Sequence, residues 1–211
     1  MRIKVCGITD VKQLKELESM GVDHAGLIFY PGSPRYVAAH GLEAKMLDKE
    51  KVNISKIGVF VNAPEEDVLR HIDTWGLEMV QLHGEESPSY CERISNHVKT
   101  IKAFRVNPAE NLIYKVFPYK DSVEYYLFDT MGEKYGGTGK QFDWQLVGDR
   151  EMDKPYFLSG GIGIDQAEAV NAFAISQKDL YAIDVNSKFE VSPGIKNMDL
   201  VKQFCAFLKN Q

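Results

Sequence analysis

The sequence predicts a (β/α)8 barrel, and three observations carry that reading. Eight short runs rich in β-branched or apolar residues alternate with eight helix-like stretches along 211 residues. The second run, Asp23 to Phe29, has a continuous apolar end, as strands covered on both faces do. No G-x-G-x-x-G follows the first run, which removes the signature of the open dinucleotide-binding sheet. Parallel neighbours need a crossover, usually a helix, and eight such units close into a barrel. No linker or low-complexity tract divides residues 1–211, so one domain is expected.

The elements follow in order. Arg2-Ile3-Lys4-Val5-Cys6 is a strand stopped by Gly7. Thr9 or Asp10 can cap the next helix, since an oxygen there accepts from the free N–H groups of the first turn. Val11, Leu14, Leu17 and Met20 form one stripe at helical spacing, and Gly21 ends that helix. Asp23 to Phe29 is the second strand. The rigid loop Tyr30-Pro31-Gly32-Ser33-Pro34-Arg35 follows, then a helix from Tyr36 or His40 to Leu47. Ile54 to Val61 is the third strand. Asn62 as cap, Pro64 and the acids Glu65 and Glu66 open the third helix, which runs to Trp75.

Met79 to Leu82 is the fourth strand, and Ser87-Pro88 starts the fourth helix. Lys99 to Phe104 is the fifth strand, with a helix from Asn107-Pro108 to Phe117. Val123 to Phe128 is the sixth strand, ending at Asp129. A glycine-rich loop follows, with a short helix at Asp143 to Val147. Tyr156 to Leu158 is the seventh strand, closed by Ser159-Gly160-Gly161, and Ile164 to Phe173 is its helix. Leu180 to Val185 is the eighth strand, and Met198 to Leu208 is the last helix. Trp75 and Trp144 are expected in the layer between helices and strands.

The totals narrow the function. The chain is 44% hydrophobic and 26% charged, as soluble globular proteins are, and its net charge is -5. Nucleic acid is a poor partner for that balance, because phosphate-backbone binders carry a basic face. Cys6, Cys91 and Cys205 are odd in number and widely spaced, which fits a reducing compartment better than a disulfide framework. No apolar run reaches bilayer length and no signal segment precedes the first strand, so a cytoplasmic protein without membrane contact is expected.

A barrel does its chemistry at the C-terminal ends of its strands. Those ends carry Cys6, the Phe29–Arg35 loop, Val61-Asn62, His83, Arg105, Asp129, Ser159-Gly160-Gly161 and Asp184. Cys6 is either a base or nucleophile, if a nearby cation favours its thiolate, or a small buried hydrophobe. Asp129 is either a general acid or a cap for its own loop. Asp184 orients a polar substrate group or satisfies loop N–H groups. Gly160 and Gly161 let main-chain N–H groups approach an anion, and Asn186-Ser187-Lys188 can complete that cup. Arg35 offers a planar fork to a carboxylate, or pins its own loop. Gly136-Gly137-Thr138-Gly139-Lys140 reads as a lid or a surface loop. His83 reads as a structural residue. No metal-ligand spacing is present.

Taken in order, Lys4-Val5-Cys6-Gly7-Ile8-Thr9, Gly32-Ser33-Pro34-Arg35-Tyr36-Val37, Gly58-Val59-Phe60-Val61-Asn62, Val80-Gln81-Leu82-His83-Gly84, Gly136 to Lys140 with Phe142-Asp143-Trp144, Ser159-Gly160-Gly161-Ile162 and Asp184-Val185-Asn186-Ser187 resemble the phosphoribosylanthranilate isomerases of tryptophan biosynthesis. The resemblance spans the chain. It implies a (β/α)8 barrel and an Amadori rearrangement of N-(5-phosphoribosyl)anthranilate, with Cys6 as general base and Asp129 as general acid. It implies that Arg35 and Asp184 face the anthranilate, and that Gly160, Gly161, Ser187 and Lys188 hold the phosphate. No cofactor is implied, because the substrate's nitrogen is the electron sink. The partner is then a small phosphorylated molecule, and the enzyme a monomer or homodimer.

Two stretches depart from the family pattern. Asn186-Ser187-Lys188-Phe189-Glu190 stands where Ser-Ser-Gly-Val-Glu is usual, and a lysine replacing that glycine is expected to strain a positive-φ position. The loop Thr130 to Tyr135 is longer than usual. Two other readings share the scaffold. The histidine-pathway sugar-phosphate isomerase pairs two aspartates, one on strand one, where this chain has Cys6. A non-catalytic phosphate-binding barrel needs the glycine cup but neither Cys6 nor Asp129.

Overall fold

Eight parallel strands close on one another in chain order, with the first pairing the eighth from Arg2–Ala182 to Val5–Val185. The computed structural model describes residues 1–130, 143–148 and 151–209. The strands are β1 (Arg2–Cys6), β2 (His24–Ile28), β3 (Ser55–Phe60), β4 (Met79–Leu82), β5 (Lys99–Val106), β6 (Tyr125–Thr130), β7 (Tyr156–Leu158) and β8 (Leu180–Val185). Between and after them lie α1 (Val11–Ser19), α2 (Ala44–Lys49), α3 (Glu65–Trp75), α4 (Pro88–Ser95), α5 (Leu112–Val116), α6 (Gln145–Gly148), α7 (Ala167–Ser176) and α8 (Met198–Lys209). A short hairpin, β9 (Glu190–Ser192) and β10 (Ile195–Lys196), lies between β8 and α8.

Side chains alternate across each strand, so every second residue enters the barrel. Ile57, Met79, Ile101, Leu127, Phe157 and Ala182 form an apolar plug inside it. On four of these strands the residue two places further along is polar or reactive: Gln81 after Met79, Asp129 after Leu127, Ser159 after Phe157, Asp184 after Ala182. On β1 the same period sets Lys4 and Cys6 on the inner face. Intervening residues such as Ile3, Val5, Val80, Phe128 and Ile183 pack outward against the helices in the larger core. Phe29 meets Trp75 there, and Trp144 meets Phe173. The plug closes one end of the barrel and leaves the other for chemistry.

Several boundaries differ from expectation for local reasons. Asp10, not Thr9, caps α1 by accepting from Lys12 N–H, while the Thr9 hydroxyl donates to Gly194 O. The expected second helix divides at Gly41, whose φ of 73° ends a tight turn at Val37–His40 before α2 begins. Asn62 caps nothing: it sits at φ 50°, and its side-chain oxygen accepts from Glu85 N–H. Asn111, not Asn107, caps α5. The sixth strand starts and ends two residues later than expected, so Asp129 lies inside it. The seventh helix opens with a tight turn at Ile164–Gln166. The β9–β10 hairpin lies outside expectation, because strands of three and two residues carry no readable period.

One buried ion pair shapes the loop that carries His83. Glu86 accepts from Asn62 N–H at 2.8 Å and Gly84 N–H at 2.9 Å. Lys102 Nζ donates to Glu86 Oε2 at 3.1 Å and to Gly84 O at 2.8 Å. Removing one partner of such a pair leaves an uncompensated buried charge. Lys102→Ala is therefore expected to cost about 3–5 kcal/mol of stability, read as a lowered denaturant midpoint. A midpoint equal to that of the parent protein would remove the pair from this role.

Candidate active site

A cavity opens at the C-terminal end of the barrel strands and contains about 680 Å³ of empty space, counting its open mouth. Cys6, Asp129, Gly160, Gly161, Asp184 and Ser187 all line it. So do Tyr30, Ser33, Gln81 and His83. Arg35 and Lys188 do not. The lid expected at Gly136–Lys140, and most of the loop from Thr130 to Tyr135, lie outside the described residues.

Lys4 is fully buried beneath Cys6. Its Nζ donates to Asp184 Oδ2 at 2.9 Å and to Gln81 Oε1 at 2.6 Å. Burial alone would pull the ammonium's pKa down, but Asp184 and Cys6 offset it and hold the group above its ordinary value. The second oxygen of Asp184, Oδ1, is buried in the cavity wall with no hydrogen-bond partner among the described residues. A buried acceptor left this way is costly unless a ligand donor meets it.

The Cys6 thiol's pKa is pushed up by burial, which outweighs the pull of Lys4 and Lys196. The resting sulfur is therefore a thiol. It touches the backbone of β2: a Cβ added at Gly26 would lie 2.7 Å from Cys6 Sγ, so glycine is required there. Asp129 sits on β6, three strands from β1 around the closed barrel. Its Oδ1 accepts from Thr130 N–H at 2.8 Å, and its Oδ2 lies 3.4 Å from His83 Nε2. His83 thus belongs to the cavity and not only to the scaffold, contrary to the reading from its sequence neighbours.

Gly160 and Gly161 take φ values of 99° and 68°, which turn the main chain at the end of β7 toward the cavity. A side chain on Gly160 would strike Thr130. Ser187 begins a tight turn after β8 and completes the wall. Lys188 is exposed in that turn, and it is absent from the positive-φ residues, which among described non-glycines are Lys51 and Asn62. The strain expected at Lys188 is thus not present, because the turn after β8 closes without a left-handed residue there.

Arg35 is buried beside the cavity, and its fork is engaged. Nε and Nη2 donate to Glu190 at 2.8 Å and 2.6 Å. Lys196 Nζ donates to the same carboxylate at 2.7 Å and to Asn186 Oδ1 at 2.7 Å. Burial raises the Glu190 carboxyl's pKa, but Arg35 and Lys196 more than reverse that and hold it low. Two cations share one anion here. The roles of Glu190 and Lys196 are not readable in the sequence, because the hairpin that carries them is not. Lys4 and Gln81 had a signal: each is polar within an apolar strand and two residues before a reactive side chain.

Among the described residues no group of three or more His, Cys, Asp or Glu side chains is placed to hold a metal. None of the described helices is long and apolar enough to cross a membrane. Fold and cavity together define a barrel enzyme whose polar groups converge at the C-terminal ends of the strands. The family model described as N-(5'phosphoribosyl)anthranilate (PRA) isomerase matches residues 3–206, and the chain belongs to that family. An N-(5'-phosphoribosyl)anthranilate isomerase of Parabacteroides distasonis is 38% identical over 205 residues, covering 97% of this chain and 91% of the relative. The crystal structure of phosphoribosyl anthranilate isomerase from Thermotoga maritima is 33% identical, with a TM-score of 0.85 and full coverage of both chains. A phosphoribosyl anthranilate isomerase structure solved in complex with reduced 1-(o-carboxyphenylamino)-1-deoxyribulose 5-phosphate is 29% identical, with a TM-score of 0.80 and full coverage of both chains.

Gly7 connects β1 to the Arg35 cluster. Its φ is 76°, and an added Cβ would lie 2.7 Å from Arg35 Cδ and 2.9 Å from Asn186 Oδ1. Gly7→Ala is expected to cost at least about 1–2 kcal/mol through the left-handed backbone and to displace Arg35, measured by thermal unfolding and a crystal structure of the variant. Unchanged stability with Arg35 in place would contradict this packing.

Proposed function

We propose that the chain converts N-(5'-phosphoribosyl)anthranilate to 1-(o-carboxyphenylamino)-1-deoxyribulose 5-phosphate, with Cys6 as general base and Asp129 as general acid. The observation that supports this most strongly is the placement of a thiol on β1 and a carboxyl group on β6 in one cavity wall. Acid and base on different sides of one sugar are what an internal proton transfer requires.

Asp129 donates its proton to the furanose ring oxygen. The C1′–O bond breaks, and the anilino nitrogen supplies the electron pair that forms the C1′=N iminium. The Cys6 thiolate then removes the proton from C2′. The C2′–H electrons form the C1′=C2′ bond, and the C1′=N electrons return to nitrogen, giving an enolamine. Protonation at C1′ with loss of the C2′ hydroxyl proton gives the ketone. No atom is gained or lost overall. The nitrogen of the substrate serves as the electron sink, so no cofactor enters the scheme.

The main chain at Gly160, Gly161 and Ser187 is proposed to hold the phosphate, with Lys188 adding charge from the rim. Asp184, through its unpartnered Oδ1, faces the anthranilate part. Arg35, whose Nε and Nη2 are held by Glu190 beside the cavity, is proposed to meet the anthranilate carboxylate through the remaining edge of its guanidinium. Every group in the scheme comes from one chain, so the site is complete in a monomer or a homodimer. The three cysteines are unpaired and buried, which fits the cytoplasm.

Purified protein is expected to quench the fluorescence of the anthranilate adduct as the substrate is consumed. Cys6→Ala and Asp129→Ala should each lower kcat by about 10²–10⁴ while circular dichroism and phosphate affinity stay near those of the parent. Activity retained in both variants would reject the two roles, and no turnover by the parent would reject the reaction.

The base works as a thiolate, and burial raises the thiol's pKa above its ordinary 9.0. The thiolate fraction therefore grows as pH rises through and beyond that value. Because the scheme also consumes the Asp129 proton, the active form carries one proton between the pair, and turnover should be lost on the alkaline side only as pH rises above the thiol's ordinary range. An alkaline loss of turnover centred well below 9.0, with chemistry shown to be rate-limiting, would contradict a buried thiol base.

A further inference from the structure

The Gln81 amide lies between two groups that the mechanism leaves apart. On one side Lys4 Nζ lies 2.6 Å from Gln81 Oε1. On the other, Gln81 Nε2 lies 2.7 Å from His83 Nδ1. The side chain is buried, so water does not compete for either bond. Gln81 and His83 share the inner face of the barrel because they are two residues apart at the end of β4.

Hydrogen-bond roles propagate along this line without choice. An ammonium group has donors and no acceptor. The amide oxygen of Gln81 must therefore face Lys4, and its NH2 group must face His83. Nδ1 of the ring then has to accept, so it carries a lone pair and the ring proton sits on Nε2. The bond at one ring nitrogen sets the state of the other. Nε2 is buried and has no hydrogen-bond partner at normal distance among the described residues. It lies 3.4 Å from Asp129 Oδ2.

We propose that Gln81 is a positioning residue for the acid step: it fixes His83 as the Nε2–H tautomer, so that an N–H faces the neighbouring Asp129 carboxyl group in the cavity wall. This inference rests on Asp129 being the general acid. When Asp129 gives its proton to the ring oxygen, its carboxylate acquires charge. Thr130 N–H already donates to Oδ1. The His83 N–H supplies a donor toward Oδ2, and shortening that contact by a few tenths of an ångström makes it a full hydrogen bond. Donors aimed in advance at developing charge lower the barrel's cost of reaching it. The carbonyl end of the same amide holds Lys4, which faces Cys6. Acid and base are thereby tied to one buried side chain.

The test is nitrogen NMR of the His83 ring in the unliganded protein, combined with steady-state kinetics. In the parent protein the ring is expected as the neutral Nε2–H tautomer. Gln81→Glu replaces the amide NH2 with an acceptor and keeps the shape. It is expected to move the ring proton to Nδ1 or to charge the ring, and to lower kcat by about tenfold to a hundredfold with KM changed less than kcat. Gln81→Leu removes both bonds and should lower kcat similarly, with no single tautomer enforced. An Nδ1–H ring in the parent would overturn the proposal outright, whether or not the variants fold. A Gln81→Glu protein with the tautomer switched and kcat unchanged would also overturn it. Neither result bears on Cys6 and Asp129, whose roles fall only if their own alanine variants keep activity.

Discussion

A lysine ammonium shut away from water must be surrounded by acceptors, and in this barrel that need organises the site. Lys4 is fully buried, and its partners Asp184 and Gln81 come from strands on either side of the barrel axis. Buried ion pairs of this kind are poor sources of stability, since apolar residues of similar volume often serve as well or better. What Lys4 supplies is placement. It fixes one oxygen of Asp184 and leaves the other facing the cavity. It sets the direction of the Gln81 amide, and it places a positive charge next to the Cys6 sulfur.

The barrel converts a two-residue period into three levels. At the bottom the inner face is apolar, from Ile57 and Met79 round to Phe157. Two residues on, it carries Lys4, Gln81 and Asp184. Two further on β1 and β4 come Cys6 and His83, where substrate can reach. The plug excludes water from below, so the charges above it act in a low dielectric. The same period on β8 carries the chain from Asp184 to Asn186 and into the hairpin whose Glu190 holds Arg35. A one-residue slip in any of these strands would turn its reactive groups outward.

Much of this was legible in the sequence. The eight-fold alternation gave the barrel, and the strand ends gave Cys6, Asp129, Gly160, Gly161 and Asp184 as neighbours in space. Strand and helix patterns are local, and the barrel's closure follows from their number. What could not be read depended on contacts across the barrel. Arg35 looked like an open fork, but its partner Glu190 lies 155 residues away on a hairpin too short to show a period. His83 looked structural because its approach to Asp129 appears only when β4 and β6 curve around one axis. Lys188 looked strained only if the family's glycine conformation was assumed, and the turn after β8 takes another course.

The central claim is geometric: the Cys6 sulfur and the Asp129 carboxyl group act on one pentose from different sides, with its phosphate on the main chain of the β7 and β8 turns. The most direct test is a crystal structure of this protein with the reduced product analogue bound. The account requires Sγ within contact distance of C2′, a carboxyl oxygen of Asp129 on the opposite side of the sugar, and phosphate oxygens against Gly160 and Gly161. A ligand seated in the cavity with its sugar carbons beyond reach of the sulfur, or with its phosphate elsewhere, would contradict it.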